Sequence, residues 1–219
     1  MPQMKIREKK GKKTVFLDRD GTMNVEVHYL HRPEDLKLIP GTAKAVRMFN
    51  EAGFRVVVVT NQAGVARGYY GEEEVRSLHL YLNELLKKEN AHVDDFYYCP
   101  HHPEHGIGIY RVQCQCRKPG TGMFEAADRD CPVDKEHSFM VGDKLIDTMA
   151  GHKFGVRSIL VGTGYGEAMR ENRDTEESGA YDWYAEDLLE AAKLICSLDH
   201  GAFVQKKGDR ESLSIGEEG

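Results

Sequence analysis

Apolar residues in this chain fall in short unbroken runs, separated by stretches with helical spacing. Thr14–Leu17 is the first run, and residues 54–59 form a second in which Val56-Val57-Val58-Val59 shows no polar alternation. Runs of that kind are strands buried on both faces, as in a parallel sheet. Between them Pro40-Gly41-Thr42 opens a helix, Ala45, Val46, Phe49 and Ala52 recur at helical spacing, and Gly53 closes it. Residues 72–89 read as a longer helix with Val75, Leu78, Leu82, Leu85 and Leu86 on one face. The pattern then repeats: strand 95–99, helix 122–129, strand 138–141 ending at Gly142-Asp143, helix 147–154, strand 157–161 and a closing helix 186–196. Strict alternation predicts an α/β domain with a doubly wound parallel sheet and right-handed crossovers. Residues 162–179, glycine-rich and charged, are expected to be a mobile loop.

At 219 residues and 40% apolar content, one substantial core is expected rather than two. The division predicted is a basic leader at 1–13, a single domain at 14–198 and a flexible tail at 199–219. A net charge of −6 argues against a dedicated nucleic-acid binder, and the basic leader reads as a solvated segment rather than a nucleic-acid arm. No apolar stretch of signal-peptide character follows the leader, and no run approaches the roughly 20 apolar residues of a membrane span. The expectation is a cytoplasmic monomer, touching neither membrane nor nucleic acid, whose partner is a small molecule.

Polar chemistry collects at the ends of the apolar runs. Asp18-Arg19-Asp20-Gly21-Thr22 follows the first, Thr60-Asn61 ends the second, and Asp143 follows the fourth. In doubly wound sheets the ligand crevice lies beyond the carboxyl ends of the strands. A lone Asp after a strand is commonly a helix cap or turn residue; three such ends in register point to a site. Paired carboxylates in a crevice repel unless a cation or proton joins them, and magnesium suits both hard oxygen ligands and phosphoryl groups.

Five cysteines is an odd number, and three of them crowd into residues 99–116 beside several histidines, which favours a metal over a disulfide framework. Cys99-Pro100-His101 and Cys114-Gln115-Cys116 stand at the two ends of one loop, with twelve residues between His101 and Cys114. Three thiolates and one imidazole make a closed tetrahedral zinc set, with His102 or His105 as alternatives to His101. The interior of this zinc loop, 99–116, has little apolar content, so a structural metal would supply what packing cannot. Reduced surface thiols are the bland alternative. Cys131 and Cys196 read as core or surface thiols.

From about Thr14 to Val161 the chain resembles the haloacid dehalogenase superfamily of phosphotransferases. Four signatures appear in order: Asp18-Arg19-Asp20-Gly21-Thr22, then Thr60, then Lys118 in Arg117-Lys118-Pro119, then Gly142-Asp143-Lys144 with Asp147 beyond. The resemblance implies that Asp18 attacks phosphorus, that Asp20 serves as acid and then base, and that Thr60 and Lys118 hold the transferring oxygens. Magnesium would be ligated by Asp18, the backbone carbonyl of Asp20 and Asp143. Asp147, one helical turn beyond Asp143, would support them. No separate cap domain fits between the signatures, so specificity is expected from the loops at 23–33, 63–71 and 100–116.

Within the superfamily, the cysteine-bearing loop is similar to the branch holding the histidinol-phosphate and heptose-bisphosphate phosphatases, and its length to the heptose members. That likeness implies removal of the C7 phosphate from D-glycero-D-manno-heptose 1,7-bisphosphate, a step toward activated heptose for lipopolysaccharide or surface glycans. Histidinol phosphate, or small sugar phosphates broadly, would be the alternative substrate. Glu26, Val27, His28, Tyr29, Asn61, Gln62, Ala63 and Lys144 would line the sugar pocket, and Arg117 would grip the distal phosphate with its planar fork. Two local departures stand out: Ala63 where the family more often has Ser, and a 25–29 loop less acidic and aromatic than its commoner pattern.

Overall fold

The computed structural model describes residues 11–171 and 180–199. The unalternated apolar runs become inner strands of one sheet. β1 (Thr14–Leu17), β2 (Arg55–Asn61), β3 (Asp95–Cys99), β4 (Phe139–Gly142), β5 (Arg157–Val161) and β6 (Trp183–Ala185) pair in the order β3-β2-β1-β4-β5-β6. Every pairing is parallel, with Phe16 of β1 opposite Val57 on one side and Met140 on the other. Because successive side chains point to opposite faces, each central strand must be apolar at every position to bury both.

Helices supply the two outer layers. Val15, Leu17, Val56, Val58 and Val141 join one cluster with Phe49 of α1 (Thr42–Glu51), Leu82 of α3 (Glu72–Lys87) and Ile195 of α7 (Leu188–Asp199). Phe16, Val57, Val59 and Met140 join a second with Phe124 of α4 (Gly122–Asp130) and Phe154 of α5 (Leu145–Phe154). The result is the doubly wound, three-layer domain that the alternation predicts, without a separate cap domain among the described residues. No helix among them is long and apolar enough to cross a membrane.

Local chemistry moves some boundaries. α5 begins at Leu145 rather than 147 because the Asp147 carboxylate reaches back to accept the Lys144 backbone N–H at 3.0 Å, a cap that starts the helix earlier. α2 (Ala63–Ala66), α6 (Gly166–Glu171) and β6 are elements the periodicity does not announce. The expected loop at 162–179 is therefore corrected in part: residues 166–171 are helical, held by the Arg170 guanidinium 4.2 Å over the Tyr184 ring. Residues 172–179 lie outside the described residues, as do 1–10 of the expected leader and 200–219 of the expected tail.

Strand order decides where a ligand can go. From β1 the chain winds one way to β2 and β3 and the other way to β4, β5 and β6, so a crevice opens at the carboxyl ends of β1 and β4. Asp18 follows β1 directly and Asp143 follows β4. Beneath them the fully buried Phe16 ring packs 4.7 Å from Phe124 and 5.8 Å from Phe154. Phe16→Ala should lower the unfolding free energy by about 3–5 kcal/mol in urea titrations; a loss below about 1 kcal/mol would show that this face does not anchor β1.

Candidate active site

Three acids meet where β1 and β4 end. Asp18, Asp143 and Asp147 are all buried, and each brings an oxygen to within 4.8 Å of the others. Burial pushes Asp18 up to about 6, with the Asp147 charge adding to the rise against the opposing pull of Lys118. Burial likewise pushes Asp143 up to about 8, with the Asp18 charge adding. So many acids in so little water need a cation.

One cation comes from the chain itself. Asn61, at the end of β2, accepts the Lys118 backbone N–H at 3.0 Å and donates its amide to the Lys118 carbonyl at 3.2 Å. This latch aims the Lys118 side chain inward, where Nζ donates to Asp18 Oδ1 at 2.7 Å and to the Val59 carbonyl at 2.7 Å, and lies 2.8 Å from Asp147 Oδ1. An ammonium has three protons, and all three are engaged. Burial opposes the charge, but the two flanking carboxylates outweigh it and hold Lys118 above the ordinary lysine value.

Asp143 is left half open. Its Oδ2 accepts the Tyr165 backbone N–H at 2.9 Å, while its Oδ1 is buried with no hydrogen-bond partner among the described residues. Gly21 (φ 85°) and Gly164 (φ 59°) flank it, and a Cβ on either would collide with the carboxylate. Lys144 stands 3.8 Å from Asp143 and 3.3 Å from Glu26. An orphaned oxygen on a carboxylate clustered with Asp18 and Asp147 fits a small divalent cation that prefers hard oxygen ligands.

Asp20 sits in the opposite electrostatic situation. Arg19, fully buried, donates Nε to Oδ1 at 3.1 Å and Nη2 to Oδ2 at 2.7 Å. Asn24 adds a bond to Oδ1 at 3.0 Å and Gln62 one to Oδ2 at 3.1 Å. Burial pushes Asp20 upward, but the Arg19 guanidinium and these hydrogen bonds prevail and hold its carboxyl below the ordinary range. Gln62 also donates to the Thr60 hydroxyl at 2.9 Å and accepts from the Tyr70 hydroxyl at 2.9 Å. Behind Arg19, at 3.3 Å from Nη1, lies Nε2 of His79, a buried α3 residue stacked on Phe96 at 4.6 Å. A guanidinium only donates, so Nε2 accepts and the His79 ring is neutral with its proton on Nδ1. Burial, with the Arg19 charge adding, pulls His79 down to about 3.

Asp18, Asp20, Thr60, Gln62, Tyr70 and Lys118 border a cleft of about 270 Å³. The structure brings Asp18, Asp20, Thr60 and Lys118 to its wall together with Glu26, Val27, His28, Tyr29, Asn61, Gln62, Ala63, Arg117, Lys144 and Asp147. Asp143 lies just beneath, in contact with Lys144 and Tyr165. Of the three loops expected to set specificity, 100–116 contributes no wall residue; only Arg117, which follows it, reaches the cleft. The reason is that this loop folds back on itself and on Ala66, whose carbonyl accepts the Ile107 N–H at 2.9 Å. Tyr70 reaches the cleft from the expected 63–71 loop, whereas Ile146 and Tyr165 line it unforeseen. Tyr165 lies four residues beyond the end of β5, in the turn where its backbone N–H reaches Asp143, so strand-end placement alone does not single it out.

The cysteine loop forms a cluster of its own. Cys116 Sγ lies 3.2 Å from Cys99 Sγ, 3.1 Å from Cys114 Sγ and 3.4 Å from His101 Nδ1. The sulfurs are far beyond the ~2.05 Å of a disulfide, and all four ligand atoms lie within 4.8 Å of one another. Three soft sulfurs and one imidazole nitrogen in that space could hold a tetrahedral metal ion. His102 is turned away, its Nδ1 3.1 Å from the His105 backbone N–H it accepts, which leaves His101 as the nitrogen of the cluster. Arg117 donates to the His101 carbonyl at 3.2 Å and so ties the cluster to the cleft wall.

Comparison with known proteins follows the same lines. The family model described as "HAD-hyrolase-like" matches residues 115–191. The D-glycero-beta-D-manno-heptose-1,7-bisphosphate 7-phosphatase of Haemophilus ducreyi is 46% identical over 156 residues, 70% of this chain and 85% of that protein. The D-glycero-D-manno-heptose-1,7-bisphosphate 7-phosphatase of Thermosynechococcus vestitus is 44% identical over 187 residues, 84% of this chain and 95% of that protein. The chain belongs to this family of HAD-like phosphatases. Among solved structures, the D,D-heptose 1,7-bisphosphate phosphatase of B. bronchiseptica, complexed with magnesium and phosphate, superposes with a TM-score of 0.73 at 30% identity, covering 85% of this chain and 99% of that one.

In this family member the buried His79 makes a stability prediction with a definite sign. An unfolded histidine titrates near the ordinary 6.5, whereas folded His79 titrates at about 3, so between those values acid protonates only the unfolded chain. Stability attached to His79 is therefore full above pH 6.5 and is lost as the pH falls. Between pH 7 and pH 5 the unaltered protein should lose about 2 kcal/mol more than His79→Gln in urea titrations. Equal losses in the two proteins would contradict the neutral, buried ring.

Proposed function

We propose that this protein is a magnesium-dependent phosphatase that removes the C7 phosphate from D-glycero-D-manno-heptose 1,7-bisphosphate through an aspartyl-phosphate on Asp18. The observation that carries this reading is the convergence of Asp18, Asp20 and Lys118 on one cleft with Asp143 just beneath beside Asp18, in a chain 46% identical over 156 residues to a phosphatase named for that substrate.

In the first step an Asp18 carboxylate oxygen bonds to phosphorus, the ester oxygen–phosphorus bond breaks, and Asp20 gives its proton to the departing sugar oxygen. The anionic phosphoryl group beside Asp20 favours the protonated acid against the pull of Arg19, so substrate binding and the acid role go together. In the second step Asp20 takes a proton from the water that attacks phosphorus, the bond from phosphorus to the Asp18 oxygen breaks, and inorganic phosphate leaves with the Asp18 carboxylate restored. Lys118, anchored by Asp147, keeps Asp18 Oδ1 fixed and offers positive charge to the phosphoryl oxygens; the Thr60 hydroxyl, oriented by Gln62, offers a neutral donor. Asp18, the Asp20 carbonyl and Asp143 would hold magnesium, which would neutralise charge on the phosphoryl oxygens.

The wall residues Glu26, Val27, His28, Tyr29, Asn61, Ala63 and Lys144 are assigned to the sugar and Arg117 to the distal phosphate. Gln62, with its amide spent on Asp20, Thr60 and Tyr70, is better suited to orienting the acid than to reading the sugar. Cys99, His101, Cys114 and Cys116 would hold zinc as a structural ion that fixes Arg117 and Lys118. The protein is assigned to the cytoplasm as a monomer, with 14–198 as its catalytic domain.

The substrate assignment predicts a kcat/KM for the heptose bisphosphate more than about tenfold above that for histidinol phosphate, roughly 1.4 kcal/mol. A smaller preference would withdraw the heptose assignment while leaving the phosphatase reading in place. Elemental analysis should find one zinc per chain, and Cys116→Ser should lose it, raise hydrogen exchange across 99–116 and lower kcat while the urea midpoint moves little. Unchanged exchange and rate in a zinc-free protein would overturn the structural role.

A further inference from the structure

We propose that Arg19 and His79 are positioning residues for Asp20: a fully buried guanidinium, braced from behind by a neutral imidazole, sets where the leaving-group acid stands. The inference rests on the phosphatase reading above and extends it to two residues outside the cleft wall. Arg19 grips the Asp20 carboxylate through Nε and Nη2, at 3.1 Å and 2.7 Å, and turns Nη1 to His79 Nε2 at 3.3 Å. Five fixed N–H groups in one plane make this grip directional, which an ammonium could not reproduce. His79 is itself immobilised, 4% exposed and stacked on Phe96 with the ring planes 15° apart. The chain of contacts runs from α3 and β3 through Arg19 to the acid, so the far side of the sheet edge is coupled to a single oxygen pair at the site.

In the first step Asp20 matters only where the leaving oxygen needs a proton. A sugar alkoxide takes one as the phosphorus–oxygen bond breaks and the bonding pair moves to oxygen. A p-nitrophenolate leaves with that pair and needs none. Misplacing Asp20 should therefore slow the first step for the sugar substrate and spare it for the aryl phosphate, whereas general damage to the cleft slows both.

The test is the single-turnover rate of leaving-group release from heptose bisphosphate and from p-nitrophenyl phosphate, with magnesium present, in the unaltered protein, His79→Leu, His79→Gln and Arg19→Lys. His79→Leu and Arg19→Lys should slow sugar release at least about tenfold and nitrophenolate release less than about twofold. His79→Gln, whose amide oxygen can accept from Arg19, should restore most of the sugar rate. Equal slowing of both substrates, or no slowing of either, overturns the proposal; if His79→Leu fails to fold, Arg19→Lys decides on the same criterion. Failure of the unaltered protein to release either leaving group would instead remove the phosphatase reading beneath it.

Discussion

A single buried ammonium organises this molecule's chemistry. Lys118 ties the end of β1 through Asp18, the end of β2 through the Val59 carbonyl, and the start of α5 through Asp147, with all contacts at 2.7–2.8 Å. Removing one member of such a buried set leaves charge uncompensated, at a typical cost of about 3–5 kcal/mol. The arrangement is therefore rigid before any substrate arrives. Rigidity is what a nucleophile needs, because a carboxylate displaced by an ångström no longer lies in line with the bond it must break.

Two aspartates two residues apart are held in contrasting states. Burial raises Asp18, and Arg19 with its allies lowers Asp20, so neighbouring carboxyls of one turn are separated in proton affinity by their surroundings alone. The proposed roles run the other way, so a divalent cation beside Asp18 and the phosphoryl charge beside Asp20 would have to reverse that order when substrate binds. The thiol cluster contributes at one remove. It stands at the root of the segment that carries Arg117 and Lys118, joined to it by the bond from Arg117 to the His101 carbonyl. A metal there would stiffen a loop whose own side chains bury little.

Much of the fold was legible because the central strands obey one simple rule. Val56 to Val59 lack polar alternation since both faces of β2 are covered, and the alternation of strands with helices leaves little choice of topology. Asp18, Thr60 and Asp143 were legible as strand-end residues for the same reason, and Cys99, His101, Cys114 and Cys116 through their spacing. What escaped was set by tertiary contact. β6 spans only Trp183–Ala185, too short to show a period, and α6 rests on the contact of Arg170 with Tyr184. Arg19 stands between two acids and His79 among the residues of α3, and neither position takes a role from the sequence alone. Their partnership joins residues 60 apart in the chain, and no local pattern encodes it.

The most direct test of the account is chemical capture of the proposed aspartyl-phosphate: acid quench during turnover of the heptose bisphosphate, reduction with labelled borohydride, and mapping of the label by peptide sequencing. The account predicts label at Asp18 in the unaltered protein and none in Asp18→Asn, which should also lose turnover while still folding. Turnover without a reducible acyl-phosphate, or label at another carboxyl, would contradict it.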